Sequence, residues 1–104
     1  MPAPPKLTDA QRRAALKKAA EARRVRAELK ALIKMGSLSM IDVLEQSDTN
    51  EIVSRTKVLA VLESMPKIGK VKARRIMQEI GIAESRRLRG LGDQQRAALI
   101  SEFS

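Results

Sequence analysis

Apolar residues in this chain recur at helical spacing and nowhere alternate, and that pattern restricts it to an all-α fold. Ala22, Val25, Leu29, Leu32 and Ile33 fall within one stripe of a helix. A half-buried strand would need a run of period two, and no segment shows one. Thr8 or Asp9 can cap a long first helix running to about residue 35, with Gly36 closing it. Ser39 opens a short helix to about residue 46. Asp48 with Glu51 forms a capping pair for a helix over roughly 49–64, which Pro66 ends. A further helix spans about 70–80 before Gly81, with Val71, Ala73, Ile76, Met77 and Ile80 facing inward. Asp93 caps a last helix carrying Ala97, Leu99, Ile100 and Phe103. Met35, Met40, Met65 and Met77 read as core filler.

The chain has 104 residues, with 21 Lys or Arg against 12 Asp or Glu, and no Cys, His, Trp or Tyr. That length suits one small core with an arm. Without Cys or His there is no disulfide framework, zinc finger, thiol nucleophile or imidazole base, which argues against an enzyme and for a reduced, cytoplasmic setting. No cofactor is expected. No apolar run approaches a membrane span, and the N-terminus lacks the apolar core of a signal peptide. A net charge of +9 points to a polyanionic partner, most often nucleic acid.

The positive charge is concentrated in two blocks. Residues 1–35 hold 10 basic and 3 acidic side chains, and residues 67–89 hold 8 and 2. Between them, residues 36–66 hold 2 and 5. The expected organisation is a proline-rich lead-in and basic N-terminal helix over 1–35, then a domain over 36–104. The first half of that helix offers only Leu16 and alanines as apolar surface, so it projects while the second half packs.

Within the second block, Pro66-Lys67-Ile68-Gly69-Lys70-Val71-Lys72 reads as a tight turn leading at once into a helix. Ile68 can anchor it, and Gly69 lets a ligand approach the backbone closely. The first N–H groups of the following helix are unpaired and backed by the positive end of its dipole, which makes an anion site. Lys67, Lys70 and Lys72 surround it with charge suited to phosphate. The competing account is an ordinary αα-hairpin loop with lysines for solubility. Ser85-Arg86-Arg87-Leu88-Arg89-Gly90 sets three guanidinium groups around one apolar anchor. Arginine forks onto phosphate and enters narrow minor grooves, although a solvated charged turn would look similar. In the N-terminal helix, Arg12, Arg13, Lys17, Lys18, Arg23, Arg24 and Arg26 could add phosphate contacts. They could equally be a solvated face held by ion pairs of Glu21 with Lys17 and Lys18.

The stretch MPKIGKVKARRIMQEIGIAESRRLRGLGDQQRAALISEF resembles a helix-two-turn-helix module, in which a helix–hairpin–helix turn is followed by a second turn and another helix. With the preceding MGSLSMIDVLEQSDTNEIVSRTKVLAVLESMPKIGK and the basic helix, nearly the whole chain resembles the actinobacterial integration host factors. The resemblance implies a nucleoid-associated protein that binds double-stranded DNA with little sequence preference, bends or compacts it, and supports phage integrase recombination. It implies that the two turns grip the DNA backbone, through Pro66, Lys67, Ile68, Gly69, Lys70 and Lys72 in the first and Arg86, Arg87 and Arg89 in the second. Many such hairpins carry Pro-Gly before the hydrophobic residue, whereas Lys67 stands there in this chain.

Two other classes share the module. A small-subunit ribosomal family carries a similar helix-two-turn-helix, but threads a long basic C-terminal tail into RNA, and here the basic arm is N-terminal. Base-excision glycosylases use an N-terminal proline followed by glutamate, whereas Pro2 is followed by Ala3 and no large catalytic domain is present. One small core using up the apolar surface implies a monomer in solution.

Overall fold

The computed structural model describes residues 8–103, so the lead-in with Pro2, and Ser104, lie outside the described residues. Among the described residues there are six α-helices and one 3₁₀ turn: α1 Asp9–Lys34, α2 Met40–Thr49, α3 Glu51–Ser54, α4 Val58–Ser64, α5 Gly69–Ile80, the 3₁₀ turn Leu88–Gly90 and α6 Asp93–Glu102. The fold is all-α.

Local chemistry explains most of the helix ends. Thr8 caps α1 in a reciprocal capping box with Gln11, and Ser39 caps α2 in another with Asp42. Gly36, at φ +79, closes α1. Its N–H donates to Ile33 O at 3.0 Å and that of Ser37 to Leu32 O at 2.9 Å, the paired closure that a left-handed residue permits. The α6 N-cap is Gly92, not Asp93, and the Gln95 amide oxygen accepts the Gly92 N–H at 3.0 Å.

Distant contacts override local signals at two places. The helix expected over 49–64 is two helices, broken at Arg55–Lys57. There the Val58 N–H donates to Arg86 O and the Leu88 N–H to Thr56 O, both at 3.0 Å, an isolated antiparallel bridge between Lys57 and Arg87. Backbone groups committed to that bridge cannot continue a helix. Asp48 is not a cap either. Asn50 accepts the Ile52 and Val53 N–H groups, while Asp48 takes a bidentate pair of hydrogen bonds from Arg96 at 2.9 and 3.0 Å, tying α2 to α6. The short helix therefore runs on to Thr49.

One core serves all these elements. Leu29 and Ile33 of α1 are buried with Val43 and Leu44 of α2, Val53 of α3, Val61 and Leu62 of α4, Ile76 and Met77 of α5, Leu88 and Leu99. Met35 and Val71, expected inside, are each 74% exposed, and Ala97 also faces solvent. Met35 follows the last turn of α1 and Val71 sits on the first turn of α5, so both lie at helix ends. Leu32 lies at the edge of the buried stripe. Residues 8–20 are all exposed, so the first half of α1 projects, as expected from its sequence.

The carboxyl of Asp48 is held below its ordinary range by the hydrogen bonds from Arg96, and that of Asp42 by the Ser39 N–H. A carboxyl whose folded pKa is depressed stabilises the fold above the unfolded value of about 3.9, and that stability is lost as pH falls through the folded value. The thermal midpoint is thus expected to hold from neutral pH down to the carboxylate range and then drop, and Asp48→Asn should show a shallower acid drop. An acid limb identical to wild type would remove Asp48 from this account.

Candidate nucleic-acid interface

The first turn is built by its own residues. Met65 leaves α4 in an extended conformation, and Pro66 cannot continue the helix. Lys67 is left-handed at φ +66, Ile68 right-handed at φ −88, and Gly69 left-handed at φ +69. Such alternation turns successive N–H groups toward one side of the chain, a concavity that accepts anions. The Ile68 N–H folds back to Met65 O at 3.2 Å, and its half-buried side chain packs against the core. Gly69, Lys70 and Val71 are the first three residues of α5, so their N–H groups have no partner in the helix, and no acceptor outside it takes them among the described residues. A Cβ on Gly69 would meet nothing within 4 Å, so glycine serves conformation there, and the space above it is open to a ligand. Lys67, Lys70 and Lys72 are all exposed around it. Lys67 holds a conformation that costs a side-chain-bearing residue about 1–2 kcal/mol, at the position where related hairpins carry glycine.

The second turn is held from outside itself. Leu88 is 1% exposed and plugs the core, while the bridge to Thr56 and Val58 fixes the backbone on either side of it. The Arg87 guanidinium donates to Arg55 O, and Arg86 Nη1 donates to Gly90 O at 2.8 Å. A Cβ on Gly90 would lie 3.0 Å from Arg86 Cδ, so glycine lets the arginine curl over the turn. Each of these two guanidinium groups spends one donor on its own fold and has others left over. Arg89 is exposed and makes no hydrogen bond or ion pair among the described residues.

The basic residues singled out from sequence do not all stand alike. On α1, Arg12, Arg13, Lys17 and Arg23 are exposed. Arg24 pairs with Glu28 at 3.3 Å, and the expected pairs of Glu21 with Lys17 and Lys18 do not form. Arg74, within the same basic block as the turns, is paired with Glu84 at 2.8 Å. Lys57 was not legible as a site residue, yet the bridge sets it beside Arg87. Among the described residues there is no cluster of acidic side chains suited to a metal, and no helix is long and apolar enough to cross a membrane.

A family model described as an S13-like H2TH domain matches residues 33–103. The integration host factor of Mycolicibacterium smegmatis is 57% identical over 99 residues, covering 95% of this chain and 94% of the relative. That of Mycobacterium tuberculosis is 56% identical with the same coverage, and that of Streptomyces coelicolor is 52% identical over 95% of this chain and 92% of its own. A solved structure of sIHF bound to an 8bp palindromic DNA superposes with a TM-score of 0.82 at 49% identity, over 85% of this chain and 99% of that one.

Proposed function

The chain belongs to the integration host factor family, and from that premise we propose that it binds duplex DNA chiefly through the phosphate backbone. In this reading residues 1–35 are a basic arm and residues 36–104 the DNA-binding domain. The observation that carries it is the first turn: three unpaired backbone N–H groups opening onto solvent inside a ring of three lysines. Such a surface takes a phosphate of any sequence, because backbone contacts position a protein without reading bases. Arg86 and Arg87 seat a neighbouring phosphate stretch with their remaining donors, and Arg89 reaches toward the minor groove. The described residues present Phe103 as their single aromatic side chain, half-buried, so no stacking platform selects single strands.

Bending or compaction follows in the same reading. Deforming a short duplex costs roughly 1–6 kcal/mol, and further phosphate contacts offset it. The projecting half of α1, with Arg12, Arg13, Lys17 and Arg23, is placed to supply them. The protein acts as a monomer in the nucleoid and, by family, supports phage integrase recombination as an architectural partner without catalysing any step.

The test is binding to unrelated duplexes of equal length across a salt series, with duplex RNA as competitor. Six cations on phosphate, from the two turns, give a slope of log K on log salt of about −5, alike for every duplex. Strong preference for one duplex would sink the backbone reading. Equal or better competition by RNA would favour a ribosome-like role for the shared module.

A further inference from the structure

Between α1, the α3–α4 junction and the second turn lies a cleft of about 200 Å³ lined by Arg26, Lys30, Thr56, Lys57, Ala60 and Arg87. Four of the six are cationic, and no carboxylate is among them. Arg26 and Lys30 stand four residues apart on α1, a spacing at which like charges repel on one helix face. Lys57 and Arg87 are set side by side by the bridge, and Arg87 is further fixed by its hydrogen bond to Arg55 O. The carboxylates that could neutralise this cluster are engaged elsewhere or left unused. Glu51 pairs with Arg55 and Glu28 with Arg24. Arg26 also borders a hollow with Glu21 and Glu51, and Lys30 one with Glu63, yet none of the four cations forms an ion pair among the described residues.

We infer that this cleft is a phosphate-binding site, and that a backbone phosphate of bound duplex DNA occupies it. The inference rests on the DNA reading above and extends it to residues that no motif in the sequence marks as a unit. Four cations lining one cleft with no carboxylate among them draw in an anion, which relieves their mutual repulsion. Arginine forks and lysine ammonium groups lining one cleft suit a tetrahedral phosphate oxyanion. The buried Thr56 and the small Ala60 keep the floor rigid and open. Because Arg87 belongs to both the second turn and the cleft, a strand seated on that turn continues over Lys57 onto Arg26 and Lys30. Arg23, Arg26, Lys30 and Lys34 fall at i, i+3, i+7 and i+11 on α1, so the same face carries the strand along the helix. DNA then spans the second turn and the packed half of α1.

The full chain with Lys30→Gln and Lys57→Gln tests this. Both lysines are exposed and unpaired, so the variant should unfold at the wild-type temperature. Its salt slope on duplex DNA should be flatter by about 0.9, the value of one lost phosphate contact. Inorganic phosphate should raise the thermal midpoint of wild type above that in chloride of equal ionic strength, and should raise it less for the variant, which keeps only the first turn as a phosphate site. An unchanged salt slope would overturn the inference. If the phosphate effect shrank in the variant while the slope stayed, the cleft would hold a free phosphoanion and the DNA assignment would be wrong. Should wild type itself fail to bind DNA, the functional reading fails, an outcome separate from a variant that binds like wild type.

Discussion

Replacing Lys67, Lys70 and Lys72 together with glutamine is expected to weaken duplex binding about 100-fold at physiological salt. The estimate follows from counterion release: three phosphate contacts at a slope of about 0.9 each amount to roughly two decades between 1 M and 0.15 M salt. The loss should fall equally on all sequences, and the salt slope should flatten by about 2.7. All three side chains are exposed, so the fold should survive, and far-ultraviolet circular dichroism with thermal unfolding would verify it. A companion, Lys67→Gly, separates charge from turn geometry. Glycine relieves the left-handed strain at φ +66, so thermal stability should hold or rise while affinity falls by a single contact. Affinity of the triple variant within a factor of about three of wild type would remove the first turn from the interface, since each lost contact alone is worth more than that.

The first turn was legible because its determinants are contiguous. Proline, an anchoring isoleucine and a glycine set the backbone within four residues, and the helix that opens at Gly69 supplies the donors. Helix ends governed by neighbours, at Thr8, Ser39 and Gly36, were legible for the same reason. What sequence could not show are pairings across long stretches of chain. Thr56 meets Leu88, and this breaks a helix whose apolar spacing reads as continuous. Asp48 sits in a good capping context but is drawn to Arg96, because a bidentate guanidinium pair outcompetes a terminal N–H that Asn50 can satisfy instead. Val71 and Met35 expose a different limit. Periodicity assigns a face to a helix but not the point along it where the opposing layer ends. The cleft beside Arg87 gathers residues from three parts of the chain, which the bridge between Lys57 and Arg87 and the packing of α1 on the core bring together.

That bridge makes Leu88 the residue on which the second turn depends most. Leu88→Ala is expected to destabilise the protein by about 2–5 kcal/mol, since it removes a fully buried side chain and leaves a cavity beneath a three-residue 3₁₀ turn. Against a total stability of about 5–15 kcal/mol, this is a large fraction, and the thermal midpoint should fall by roughly 10–30 °C. Leu88→Met, which keeps the volume, should cost under about 1.5 kcal/mol. Urea unfolding of both variants at neutral pH measures the difference. The expected effect on binding is what makes the substitution informative. Leu88→Ala removes no charge, yet it frees the backbone that orients Arg86 and Arg87, whose side chains are tied to Gly90 O and Arg55 O. At a temperature where the variant remains folded, its DNA affinity should therefore fall, with a flatter salt slope. If the slope stayed at the wild-type value, the arginines would be acting as a diffuse cloud of charge, and the ordered second turn would owe nothing to its core anchor.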